Sequence, residues 1–591
     1  MKSKTSFFNC GLFKSNLKRF WPIFAAYFAV MLVALPMAAM TSGYYVDNAW
    51  LPMTVRDYIE YSPIVNFISA IVVAMGVFGF MFSQRSCGMI ASLPVKRGNV
   101  FATALVSGIV PVLAINLITA LITAIPLFSN PSVYAAKALI IWFAVNSMQY
   151  VFFFGLAAIL AVITGSLVAL PVFYLVFNFL AVGIETMLRE IFTQFVFGFS
   201  NNGSSLLTEA LSPVINLCRG DHFLCRFVTD DISSKLTAFS FNMWETNLVY
   251  FAVGCAFMAA ALLIFRKRRM ENCGDVIAIP ALRGLFRYGV SICLALSTAV
   301  FFGSIFGNNG NTVIDGGLYI IYMVIGAFIG WFGSDMLLKK SFTVFRGNWG
   351  GFLIILALCA AFIAGCIFDV FDVGAAPSAD SIEKVTVDSG YGDSMTVVLK
   401  DSDSIDAVID LTNSIIKNKD EHLNCDWEDL WYTNFSYTLK NGHTVYREYP
   451  VRINSQDMNA FLEILKSDEA KAFITTPGVP VVPENVEYQC FYTYDILHDQ
   501  PLSAELTPEQ AVDFFLNAYT PDVMEGNCVP RNVVNENSNH ANIEIQFVDA
   551  SKGYYDGEMS MYYNCEITPE CQHCIQWVKS NLGIDLNGIL K

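Results

Sequence analysis

Charge is scarce in this 591-residue sequence: 15% of residues are Asp, Glu, Lys or Arg, where soluble domains carry about 25%. Histidine is scarcer still, with six in the whole chain. The dipeptide Gly-Lys never occurs, so no Gly-x-x-x-x-Gly-Lys-Ser/Thr loop can cradle nucleotide phosphates. The apolar half also lacks a His-Glu-x-x-His pair, a nucleophile elbow and paired catalytic carboxylates. These gaps argue against a single water-soluble globule, a disordered chain and a nucleic-acid-binding protein with a basic face. If the chain moves something uphill, another protein must supply the energy.

What is present is apolar: 54% hydrophobic residues and a mean hydropathy of +0.48. A bilayer core needs about 20 mostly apolar residues per helical span. Nine stretches qualify, at about 20–40, 61–82, 100–127, 138–163, 167–187, 246–265, 288–306, 316–338 and 350–368. Only Thr164-Gly165-Ser166 separates the fourth from the fifth, which reads as a tight helical hairpin. The first run is longer than a secretory leader's and is expected to be a retained anchor.

The net charge of -15 is a sum over two unlike parts. Residues 1–370 hold 23 Lys+Arg against 15 Asp+Glu, and residues 371–591 hold 13 against 36. The positive-inside rule then sets the orientation. With the N-terminus inside, the tail and the segments 83–99, 164–166, 266–287 and 339–349 carry 17 of the 23 basic residues. Nine spans put the acidic C-terminal part outside, and all six His fall in segments expected outside.

The segment 83–99 is the informative one. Arg85, Met89, Ile90 and Leu93 recur at helical spacing, Pro94 ends the turn, and Lys96-Arg97 follow. A short amphipathic helix at the cytoplasmic surface fits this pattern, as does a plain basic loop. Within the spans, Asn116, Asn146, Gln149 and Asn178 are candidates for a substrate path or for hydrogen bonds between helices. The spans contain no evident buried charge pair, which favours an amphipathic or lipid-like cargo over an ion.

The pair Arg85-Ser86 and the run Ser92-Leu93-Pro94-Val95-Lys96-Arg97 resemble the coupling region of ABC-2 type transporter permeases. Residues 13–22 (Phe-Lys-Ser-Asn-Leu-Lys-Arg-Phe-Trp-Pro) and 266–271 running on to Gly274-Asp275-Val276-Ile277-Ala278 resemble the Gram-positive branch of that family. The resemblance covers about residues 1–290 and rests on the order of three motifs. It implies a six-span permease core (1–270) in a bacterial plasma membrane, coupled through Arg85, Ser86, Ser92, Leu93, Pro94, Lys96 and Arg97 to a cytosolic ATPase. It also implies a second permease in the complex, with ATP and magnesium held by the partner and no cofactor or catalytic residue in this chain. Two features depart from it. Three further spans (271–376) and a large acidic domain (377–591) are added, and a long segment, 188–245, follows the fifth span. The apolar pieces 191–199 and 224–228 of that segment could be re-entrant, interfacial or ordinary loop.

The acidic part reads as an extracellular α+β module. Strands are expected at 385–387 and 395–399, a helix at 404–417, and a hairpin at 435–439 and 444–449 around Asn441-Gly442. A helix at 455–473, a strand at 486–494, a helix at 508–519 capped by Thr507, strands at 543–548 and 558–563 and a helix at 569–582 follow. Two strand–strand–helix units, related by duplication, account for the order. Six of the fifteen Cys lie in this part: Cys425, Cys490, Cys528, Cys565, Cys571 and Cys574. Cys565, Cys571 and Cys574, with His573 between the last two, read as structural thiols or a disulfide before a metal or redox site. Cys218 and Cys225 form another possible pair. The rival to an exporter subunit is a membrane-anchored extracellular sensor or scaffold.

Overall fold

A computed structural model gives the architecture. It describes residues 8–41, 50–92, 95–128, 132–203, 205–218, 222–230, 233–268, 270–306, 316–345, 347, 349–370, 373–388, 396–425, 429–476, 479–495, 500–528, 541–548, 560–586 and 589–590. Among these, nine helices are long and apolar enough to cross a membrane.

The first is α1 (Cys10–Leu32), which runs through a π turn at Val33–Met37 into α2 (Ala38–Thr41). Pro36 lies in that turn, where its missing N–H and its ring disturb the regular ladder. Next come α3 (Trp50–Val77), the short α4 (Gln84–Ala91), α5 (Arg97–Thr123), α6 (Val133–Ile163) and α7 (Ala169–Phe195). Two single-turn helices, α8 (Leu206–Ala210) and α9 (Pro213–Leu217), precede an antiparallel hairpin of β1 (Phe223–Asp230) and β2 (Ser233–Phe241). The spans resume with α10 (Trp244–Lys267), α11 (Leu282–Phe306), α12 (Gly316–Lys339) and α13 (Trp349–Ile367). The apolar piece 224–228 is thus part of a strand, not a re-entrant helix. Its partner strand is tied to the start of α6, where Lys137 Nζ donates to the Phe239 carbonyl at 2.6 Å. Most of the piece 191–199 belongs to α7 itself.

The chain divides into two compact units. One comprises residues 1–186, 204–296 and 324–356. Its centre is α6, whose Trp142, Tyr150, Phe153 and Phe154 are fully buried. Gly155 and Gly254 let α6 and α10 touch backbone to backbone, since a Cβ on Gly155 would stand 2.4 Å from the Gly254 carbonyl oxygen. Such small-residue crossings bring helices close enough for dispersion to hold them in lipid. Side chains on other faces are bare, with Ile140 70% and Leu353 60% exposed, as lipid contact requires. The expectation of spans without a buried charge pair is corrected here. Asp335 of α12, nearly buried, accepts from Arg287 of α11 at 3.1 Å and from Lys339 at 2.7 Å. The Arg287 guanidinium also lies 4.6 Å from the Trp331 ring centre. The pair escaped notice because α11 begins at Leu282, taking Arg287 from a supposed loop into the helix.

The other unit comprises residues 187–203, 297–323 and 357–591. After α13 the chain forms β3 (Ile382–Asp388), β4 (Thr396–Leu399), α14 (Ser402–Lys417), α15 (Lys419–Leu423), β5 (Leu430–Leu439), β6 (Thr444–Arg452), α16 (Gln456–Leu465) and α17 (Asp468–Thr475). It continues with β7 (Val486–Asp495), β8 (Gln500–Glu505), α18 (Pro508–Phe514), α19 (Thr520–Glu525), β9 (Ala541–Val548), β10 (Ser560–Ile567) and α20 (Gln572–Asn581). The sheets run β4-β3-β5-β6 and β8-β7-β9-β10, all antiparallel. Each is a ββαββα unit with strand order 2-1-3-4, so the strand–strand–helix element occurs four times rather than twice. The strands alternate in burial, and Val385, Val387, Phe435, Tyr437, Phe491, Ile543, Ile545 and Phe547 meet helix residues such as Val408, Phe461, Phe514 and Val578 in one core.

Local chemistry sets the remaining boundaries. The hairpin turns where Gly442 adopts φ +81° and Asn441 Oδ1 accepts from the His443 N–H. The single helix expected at 455–473 is two, because Ser467 Oγ accepts from Ala470 N and starts α17 afresh. Thr507 and Gln510 form a reciprocal capping box, and helix continues through a π turn at Phe515–Tyr519 to Glu525. Residues 395 and 558–559, at the ends of two expected strands, lie outside the described residues. Before the first sheet, Phe199 bridges Arg447 of β6, and Glu448 N donates to the Gly198 carbonyl. Arg447 Nε and Tyr449 Oη donate to the carbonyls of Ala375 and Gly374. The ends of α7 and α13 are therefore both fastened to β6.

Candidate functional site

The basic connecting segments of the first unit are joined at one end of its helices. The Thr164-Gly165-Ser166 turn is clasped by residues 272–278. Gly165 N donates to the Asp275 carbonyl at 2.9 Å, Gly274 N to the Gly165 carbonyl at 2.7 Å, and Ala278 N to the Ile163 carbonyl at 2.9 Å. Only glycine fits at 165, where a Cβ would lie 2.5 Å from two carbonyl oxygens. The Asp275 carboxylate then accepts from Arg283 at 3.1 Å and from Lys340, in the α12–α13 connection, at 2.7 Å. Arg268 is buried and donates to the Ala161 carbonyl at 3.1 Å. That carbonyl belongs to the last turn of α6, whose free oxygens and dipole favour a cation. The start of α1 joins the same end, with Asn9 N donating to Thr103 Oγ1 and Asn16 Nδ2 to Ser107 Oγ of α5.

Upon this base sits α4. Its buried Cys87 has its Sγ 2.9 Å from that of Cys273. Burial first, then the neighbouring thiol, pushes Cys87 up to about 12, so it packs as a neutral thiol. With that face pinned, α4 presents Arg85 and Met89, the latter 63% exposed, and Ser86 is half-buried. Ser92, Lys96 and Arg97 are exposed beyond it, while Leu93 and Pro94 lie outside the described residues. Lys96 caps α5 and Arg97 opens it, at the positive end of the helix dipole and without an acidic residue in the first turn. Each such placement costs about 0.3–1 kcal/mol of helix stability. A locally unfavourable choice of this kind marks a position selected for something other than the helix. Sequence reasoning missed Cys87 and Cys273 and gave Arg268 and Asp275 only as parts of the 266–278 motif, because their roles depend on contacts between distant segments.

Three of the four candidate amides, Asn116, Asn146 and Gln149, converge on a second feature. Tyr27 Oη donates to Asn116 Oδ1 at 2.9 Å, Tyr58 Oη to Asn146 Oδ1 at 3.2 Å, and Asn66 Nδ2 to Asn146 Oδ1 at 2.8 Å. Ser62 Oγ donates to Gln149 Oε1 at 2.7 Å, and Gln149 Nε2 to Asn247 Oδ1 at 3.3 Å. All these groups are buried, and they tie α1, α3, α5, α6 and α10 together. Asn178 stands apart, its Nδ2 donating to the Tyr174 carbonyl of its own helix. Asn66 was visible in the sequence as an amide within an apolar run. Tyr27, Tyr58 and Ser62 carried no such mark. In this conformation the amides bond mostly one another and nearby hydroxyls, while the buried Asn66 Oδ1 has no hydrogen-bond partner among the described residues.

Family models, curated proteins and solved structures offer no match to the chain.

All fifteen cysteines are free thiols. Cys218 follows α9 and Cys225 lies in β1, with no contact between their thiols among the described residues. Cys565 is in β10, Cys571 occupies the cap of α20 rather than its first turn, and Cys574 is within the helix. Cys528, after α19, brings its Sγ to 3.2 Å from that of Cys571. The Asp522 carboxylate accepts from Cys574 N at 2.8 Å. Asp522 and Cys528 are the members of this cluster that sequence spacing did not reveal. In the first ββαββα unit the corresponding helices are joined by Asp457, which accepts from Ser414, Asn418 and His422. Arg452 N donates to His422 Nδ1, so Nε2 carries the proton given to Asp457. Both ring nitrogens are occupied and the ring is buried, which suits a structural joint.

Proposed function

We propose that the chain is the membrane-spanning subunit of an ABC-type exporter, with its N-terminus inside and its C-terminal α+β region outside a bacterial plasma membrane. A separate cytosolic ATPase docks on α4 and the Lys96-Arg97 pair, hydrolyses magnesium-bound ATP and drives rearrangement of the spans. A second permease chain completes the complex. The observation that carries this reading is the pinned α4. It is held by Cys87 against the 272–278 clasp, yet its exposed face offers Arg85 and Met89 to a partner. A push on α4 would pass through that clasp to the 164–166 turn and so to α6, on which the bundle is built. The attachments of α7 and α13 to β6 support a gating or cargo-docking role for the C-terminal region. The buried residues within α1, α3, α5, α6 and α10 include amides and hydroxyls but no charged side chain, which supports an amphipathic, lipid-like or peptide cargo.

The test is affinity purification of the full chain from its native membrane in mild detergent. A nucleotide-binding subunit is expected to copurify, and Lys96→Glu with Arg97→Glu to release it. A complex and an ATPase rate unchanged by the double substitution would overturn the coupling role. The closed amide network favours a second reading, a membrane-anchored sensor or scaffold that moves nothing; copurification without ATP-dependent transport would support it.

A further inference from the structure

The second ββαββα unit concentrates soft ligands where its two helical segments meet. From one side come Asp522 of α19 and Cys528 just beyond it; from the other come Cys571 and Cys574 at the start of α20. The candidate ligand atoms of Asp522, Cys528 and Cys571 all lie within 4.8 Å of one another. Cys574, one helical turn beyond Cys571, holds the Asp522 carboxylate through its backbone N–H at 2.8 Å, while its thiol stands outside the 4.8 Å triplet. We propose that Asp522, Cys528, Cys571 and Cys574 form a four-ligand structural site for a thiophilic divalent cation of the zinc class.

The ligand set and its spacing suit that ion. Zinc takes thiolates at about 2.3 Å and carboxylate oxygens at about 2.0–2.2 Å in a tetrahedron, which separates the ligand atoms by roughly 3.3–3.8 Å. The Cys528–Cys571 separation of 3.2 Å and the 4.8 Å limit on the triplet bracket those values. Cys571-x-x-Cys574 is a chelating spacing, and Asp522 and Cys528 supply the second pair from the facing segment. A joint drawn from two pairs of ligands on two segments is the usual construction of a structural zinc knuckle.

Without an ion the arrangement is costly. Asp522 is fully buried, and among the described residues no Lys, Arg or His forms an ion pair with it. A carboxylate removed from water without a cation is expensive. A divalent cation supplies the missing charge, and each coordinating thiol gives its proton to solvent on binding. The surroundings are those of a supported site. Cys574 N holds the Asp522 oxygen, and Thr568 Oγ1 lies 3.3 Å from the Cys571 sulfur. His573 and Glu525, partly exposed and 3.3 Å apart, stand at the rim and offer a path of entry. The first unit makes the equivalent joint with hydrogen bonds to Asp457, so the ion would do in one repeat what His422 does in the other. Cys565, buried in β10, stays outside the ligand set as a packing thiol.

The test is elemental analysis of the full chain purified in detergent without chelators, paired with intact-mass measurement. About one zinc per chain is expected, lost in Cys571→Ser and Cys574→Ser and retained in Cys490→Ser. Because a ligand variant could fail to fold, a second measurement uses the unaltered chain. After chelation, added Co2+ is expected to give thiolate charge-transfer absorption and the visible bands of a tetrahedral site. A metal-free chain that binds no cobalt overturns the proposal, as does zinc that survives both ligand substitutions. A Cys528–Cys571 disulfide, read as a two-dalton mass deficit, overturns it too. None of these outcomes depends on whether an ATPase binds at α4.

Discussion

At the scale of single residues, both units depend on polar groups that have left water. Asn146 takes hydrogen bonds from Tyr58 and Asn66 in the middle of the bundle. Asn146→Ala leaves Tyr58 Oη only the weak Met31 sulfur at 3.4 Å and Asn66 Nδ2 only Gln149 Oε1 at 3.2 Å, and a buried polar group left short of partners costs about 1–3 kcal/mol. A clear drop in thermal midpoint in detergent is expected, whereas Asn178→Ala, which breaks one bond within its own helix, should cost much less. Equal effects would show that the network contributes nothing beyond local bonding. Asp457 offers a pH test. Burial raises its pKa, but hydrogen bonds from Ser414, Asn418 and His422 together outweigh that and hold it below the ordinary carboxylate value. Its contribution to stability is therefore present above about pH 3.9 and is lost as pH falls through the lower folded value. Amide exchange over residues 402–475 should accelerate on acidification in the native chain and much less in Asp457→Asn. At this scale the sequence marked Asn116, Asn146 and Gln149 as important but could not pair them, since their partners lie about 90 positions away on other helices. Nor could spacing reveal that Asp522 and Cys528 meet Cys571, because the meeting depends on how two helices abut.

At the scale of elements, apolar length predicted every long helix, and residue pattern predicted most strands. The hairpin of β5 and β6 was legible from Asn441-Gly442 and the alternation around it. Boundaries failed where side chains compete with the backbone: Ser467 restarts a helix, and α11 reaches back to include Arg287. The hairpin of β1 and β2 was missed because its apolar piece, 224–228, matches a short interfacial helix equally well by composition. The α5 terminus allows folding to be tested apart from the proposed coupling. Replacing Lys96 and Arg97 by Glu puts negative charge at a helix N-terminus, so the fold should be unharmed or gain up to about 1 kcal/mol, while partner binding is lost. A thermal midpoint that falls in step with binding would mean the two residues serve the fold. Likewise Gly155→Leu is expected to force α6 and α10 apart and to sharply reduce the yield of folded chain, and Ile140→Leu, on a bare face, to change nothing measurable.

At the scale of the whole molecule, the division of charge is the organising feature. Most basic residues of the first half lie in or beside connecting segments that the fold joins at one end, through Asp275, Arg268 and the Cys87–Cys273 contact. The acidic residues belong mostly to two copies of a ββαββα unit. That pairing of four strand–strand–helix elements was only half visible, since the sequence repeats its pattern of elements far more clearly than its residues. The two sheets share a strand order but join their helices differently, one with His422 and the other with thiols. If the basic end is where an ATPase attaches, α4 must touch it directly. The decisive measurement is photo-crosslinking in native membranes from a benzoyl-phenylalanine placed at Met89, with the same probe at exposed Leu516 of the C-terminal region as control. A crosslink from 89 to a nucleotide-binding subunit, absent from 516 and strengthened or weakened by ATP, is the expected result. No such product from 89, or the same product from both positions, would contradict the assignment of this chain as an ATP-coupled permease.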